Sequence, residues 1–126
     1  MAIEILPETA PLLDGFIAAA IEADQSEAMR NNPGMLFHLV RWENGVKIEV
    51  FSNEHPPPHF RLKHKNLVAN FTIADCELLN GDLRVPHRAV RKWWLMYRDE
   101  IAKAWNRHRP DGCSVGLIDI KGLNWQ

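Results

Sequence analysis

Residues 59–73 read His59-Phe60-Arg61-Leu62-Lys63-His64-Lys65-Asn66-Leu67-Val68-Ala69-Asn70-Phe71-Thr72-Ile73. Apolar and polar side chains alternate on both sides of Lys65-Asn66, which is the period of a strand that is buried on one face only. Pairing through that turn puts Phe60, Leu62, Leu67, Ala69, Phe71 and Ile73 on one face. His59, Arg61, Lys63, Asn70 and Thr72 fall on the other. A slip of one residue would invert every side chain, so the agreement of the two runs fixes the register.

Upstream, residues 36–42 and 46–51 flank Asn44-Gly45, a strong two-residue hairpin signal. This pairing places Phe37, Leu39, Val46, Ile48 and Val50 together, with Trp42, Lys47 and Glu49 pointing the other way. Before it, residues 9–29 carry Leu12, Leu13, Phe16, Ile17, Ala20, Ile21 and Ala28 at helical spacing, and Asn31-Asn32-Pro33-Gly34 ends the run. Downstream, Asp75 caps a short helical turn over 76–79, closed by Asn80-Gly81. A long helix spans about 86–108, with Pro86 in its first turn. Its stripe is Val90, Trp94, Tyr97, Ile101 and Trp105, flanked by Trp93 and Ala104. Residues 115–120 (VGLIDI) form a candidate last strand at a sheet edge.

The reading is a single α+β domain over 1–126. A small antiparallel β-meander of about four strands packs against the long C-terminal helix and an N-terminal helix, because a sheet with one apolar face needs helices to cover it. The chain has 126 residues, 46% of them hydrophobic and 25% charged, which is globular rather than disordered. No apolar run reaches the length of a membrane span, and the first basic residue is Arg30, so there is no secretory signal. A cytoplasmic protein follows, with Cys76 and Cys113 as reduced thiols.

The net charge of −1 conceals an asymmetry. Residues 1–30 hold six acids and one base, and residues 84–109 hold eight bases and two acids. A uniformly basic nucleic-acid binder is excluded, but a local basic face is not. Arg88, Arg91, Lys92 and Arg98 lie along one side of the long helix and could bind phosphates or an acidic protein.

The most distinctive segment is Ser52-Asn53-Glu54-His55-Pro56-Pro57-Pro58-His59-Phe60. Three prolines stiffen it and direct its polar side chains. Histidine titrates near neutrality, Glu54 could orient an imidazole, and Arg61 and Lys63 could hold a phosphate. His55, His59 and Glu54 are therefore the candidate acid–base residues. An extended polyproline path sets the two histidine backbones roughly 12 Å apart, which argues against a shared metal ion. No cofactor motif is present, and neither Cys113 nor Ser114 stands in a nucleophile elbow.

The stretches SNEHPPPHFRLK, LLNGDLRVPHRAVRKWW and YRDEIAKAWN resemble a bacterial family of unknown function, domain of unknown function 4160. The resemblance spans about residues 36–108. It leaves 1–33 as an added N-terminal helix and 110–126 as an added C-terminal segment. Asn53, His55, Pro57, Pro58, His59 and Phe60 fall on the family motif. Many members carry a further histidine where this chain has Arg61, which counts against a three-histidine centre. The resemblance implies a component of a toxin–antitoxin-like pair. The expectation is a non-catalytic protein-interaction component that binds a protein partner or itself. The alternatives are a metal-independent ribonuclease using His55 and His59, and nucleic-acid binding through the basic helix face.

Overall fold

The computed structural model describes residues 1–36, 39–51, 57–82, 84–109 and 118. Its elements are β1 (Ala2–Glu4), a 3-10 turn (Pro7–Thr9), α1 (Ala10–Asn31), β2 (Lys47–Phe51), β3 (His59–His64), β4 (Leu67–Thr72), β5 (Leu78–Gly81) and α2 (His87–Arg107). The five strands form one antiparallel sheet in sequence order, β1-β2-β3-β4-β5. The chain is an α+β fold, with five strands among the described residues where the sequence predicts about four.

The β3–β4 hairpin has the predicted register, with Phe60 opposite Phe71, Leu62 opposite Ala69 and His64 opposite Leu67. Lys65 takes the left-handed conformation that the tight turn requires (φ 53°). All six predicted inward residues of this hairpin are buried. They meet Ile48 and Val50 from β2, Leu13 and Ile17 from α1, and Val90, Trp93, Ile101 and Trp105 from α2. Each such side chain contributes roughly 1.5–3 kcal/mol by leaving water. The buried indoles keep their hydrogen bonds: Trp93 Nε1 donates to Thr9 Oγ1 (3.0 Å) and Trp94 Nε1 to the Ile73 carbonyl (2.8 Å).

The first predicted hairpin does not form. Residues 36 and 39–42 carry no strand, and the place beside β2 belongs to β1, with Ala2 opposite Phe51, Ile3 opposite Val50 and Glu4 opposite Glu49. A side chain overrides the Asn44-Gly45 signal. Asp14, one of the six acids of residues 1–30, is almost fully buried on α1. Its carboxylate accepts hydrogen bonds from Trp42 Nε1 (2.8 Å), Gly45 N (3.0 Å) and Val46 N (3.2 Å). Gln25, further along α1, bonds both backbone groups of Val40. The segment 39–46 is thus fastened to a helix instead of folding back on β2. Leu39, predicted inward, is exposed.

The predicted helical turn over 76–79 is also absent, and β5 begins there instead. Cys76 sits at φ 54°, which breaks a right-handed turn. Its N–H bonds Thr72 O, and Glu77 N bonds the Thr72 hydroxyl, so a tight reversal delivers Leu78 to β4. The candidate strand 115–120 lies outside the described residues except Ile118. Ile118 N donates to Asn106 Oδ1 (2.7 Å) and its carbonyl accepts from Asn106 Nδ2 (2.8 Å).

Candidate functional site at the β2–β3 junction

β3 begins with His59, whose Nδ1 donates to the Pro57 carbonyl at 2.9 Å. Its ring lies 5.6 Å from that of Trp105 on α2, tilted by 51°. Arg109, just beyond α2, covers the same indole with its guanidinium 3.5 Å from the ring centroid, and its Nη2 donates to the Phe51 carbonyl. Arg61, two residues along β3, lies 4.4 Å over the Phe51 ring. Its Nε and Nη2 both reach Glu49 Oε1, at 3.1 and 3.0 Å, across the β2–β3 register. One end of the sheet therefore gathers an imidazole, two guanidinium groups, a carboxylate and two aromatic rings.

The other predicted site residues are not drawn into this group. Lys63 is exposed on the outer face of β3, opposite Lys47. His55 and Glu54 lie outside the described residues. Arg61 is committed to Glu49, in a half-buried pair of the kind worth up to about 1 kcal/mol. Among the described residues no three His, Cys, Asp or Glu side chains are placed to hold a metal ion.

The basic side of α2 is spread over the fold. Arg88 Nη2 bonds Asp24 of α1 at 2.7 Å and the Ala20 carbonyl at 3.1 Å. The hydrogen bond to Asp24 raises the Arg88 pKa further above its ordinary value. Arg91 donates to the Asp75 carbonyl (3.1 Å) and leans on Trp94. Lys92 lies 4.4 Å over Phe16, and Arg98 lies 5.6 Å over Trp94. The acidic and basic halves seen in sequence thus meet within one chain, at Asp24 and Arg88.

Sequence reasoning missed Glu49 as the partner of Arg61, and it missed Arg109. The first had a signal: outward positions of opposite charge on two neighbouring strands. The second had none, because it depends on where α2 ends relative to β2. Cys76 is buried, and desolvation pushes its thiol up to about 12, which leaves it protonated and unreactive near neutral pH. Cys113 lies outside the described residues.

The architecture defines a small α+β domain whose polar cluster sits where a proline-rich connection enters the third strand. Residues 45–106 match the model of the family described as Domain of unknown function (DUF4160). The match covers β2 to α2 and takes in all of the cluster except Arg109. No curated protein and no solved structure matches the chain. Among the described residues no helix is long and apolar enough to cross a membrane.

Proposed function

We propose that the protein is a non-catalytic protein-interaction component of the bacterial cytoplasm, one member of a toxin–antitoxin-like pair. The observation that carries this reading is the apolar surface at the end of α1 and in the segment that follows. Met29, Met35, Leu36, Leu39 and Val40 are all exposed, Leu36 completely. Apolar side chains clustered in this way mark an association surface. Gln25 keeps Val40 within reach of α1, so the patch is continuous with the helix.

The partner is a second protein with an apolar face of its own. Co-expression with the product of the neighbouring gene, followed by purification of the tagged full chain, tests the reading. A stoichiometric complex lost in Leu36→Asp and Leu39→Asp variants supports it. A chain that elutes alone, monomeric by light scattering at low and high salt, overturns it. A homodimer disrupted by the same substitutions would replace the pair with self-association.

A ribonuclease reading keeps one observation in its favour, the His59 imidazole set beside Trp105 and Arg109. RNA cleavage by the wild type, lost in His55→Ala or His59→Ala, would establish it, and an inactive wild type would end it. Nucleic-acid binding along α2 has less support, because Arg88 and Arg91 already hold internal partners.

A further inference from the structure

A cleft of about 390 Å³ opens between the segment 40–42, α1 and the β3–β4 turn. Its apolar lining is Ile21, Val40, Trp42 and Leu67, and Arg41, Lys65 and Arg84 also line it. No carboxylate side chain is among its lining residues. The volume is that of a small-molecule site.

Two features make it more than a surface depression. The Trp42 wall is fixed in advance. Its indole stacks on His64 at 3.8 Å between centroids and 19° between planes, and its Nε1 is bonded to the buried Asp14. A ligand meeting this wall need not order it, which removes a usual cost of binding. The cations, in turn, are positioned. Lys65 pairs with Glu43 at 2.7 Å, and Arg84 pairs with Asp82; the two cationic side chains are 62% and 78% exposed. The Lys65 pair is exposed on both sides and contributes little, so an incoming phosphate can take over that cation, while Arg84 stays oriented by its bidentate contact with Asp82. Arginine adds a planar fork suited to phosphate oxygens.

We infer that this cleft binds a phosphate monoester carried on a flat apolar body, of the size of a mononucleotide. The phosphate meets Arg41, Lys65 and Arg84, and the body lies along Ile21, Trp42 and Leu67. The cleft shares Val40 with the apolar patch, but the inference rests on Trp42 and the three cations and not on the interaction reading.

A 15N NMR titration of the full chain with adenosine monophosphate, adenosine and inorganic phosphate tests it. The monophosphate should shift the Trp42 indole and the amides of residues 64–67 saturably, with a dissociation constant no weaker than about 1 mM. Adenosine should leave these signals in place, and inorganic phosphate should bind at least about tenfold more weakly than the monophosphate. Arg41→Ala and Arg84→Ala should each weaken binding about tenfold, and Arg107→Ala, at the far end of α2, should not. Phosphate binding as tightly as the monophosphate overturns the inference. So does the absence of a saturable shift, or affinity unchanged in both arginine variants.

Discussion

Asp14 shows how much one side chain can decide. Its carboxylate takes an indole N–H and two backbone N–H groups, and thereby shapes the chain from Trp42 to Val46. Asp14→Ala leaves those donors without their acceptor, and the expected cost is about 2–4 kcal/mol, read as a lower urea midpoint. Removing Lys65 from its exposed pair with Glu43 is expected to change stability by no more than about 0.5 kcal/mol in the same measurement. Cys76 gives a pH dependence with a definite sign. Burial raises its pKa from 9.0 to about 12, so the folded chain holds the thiol proton more tightly than the unfolded one. The stability this confers is complete below pH 9 and is lost as pH rises toward 12. The decline in urea midpoint over that range should therefore be shallower in Cys76→Ala. The placement of His59 and Arg61 on the outer face of a strand was legible because the alternation set it. Their surroundings were not, because the partners come from β2 and α2, distant in sequence.

The elements differ in how openly the sequence announces them, and the difference is physical. β3, β4 and α2 carry their own periodicity over enough residues to specify which face is buried. β1 is three residues long and has no period to read. It wins the edge beside β2 because Ile3 and Ile5 bring apolar surface to the core and Ile5 N bonds Ile48 O at 2.8 Å. The 36–42 run has better strand composition, but Asp14 and Gln25 hold the chain around it to a helix. Local propensity lost to contacts that no local window contains. β5 is defined by close approach. Gly81 has φ 119°, and a Cβ there would stand 2.4 Å from the Val68 carbonyl oxygen. Gly81→Ala is expected to destabilise the protein by at least about 1–3 kcal/mol. The loss should be local, appearing as faster hydrogen exchange at the Asp82 amide, which bonds Val68 O, than at the amides of β3.

Over the whole molecule, the acidic and basic regions meet at an ion pair. Arg88 on α2 bonds both Asp24 and the backbone of Ala20 on α1. The packing beneath them is apolar, so salt should have little purchase on the fold. Raising ionic strength is expected to move the melting temperature by only a few degrees, about 1 kcal/mol or less at this size. The functional proposal rests instead on the apolar patch.

The edge position of β1 has a consequence for synthesis. Ala2 pairs with Phe51, so β1 leaves the ribosome before the strand it joins and has nothing to pair with until β2 has followed it out. Meanwhile α1 can already coil, and the nascent chain carries a helix with an unseated leader. The sheet is then assembled around residues made later, and its earliest-made ribbon is hemmed on after them.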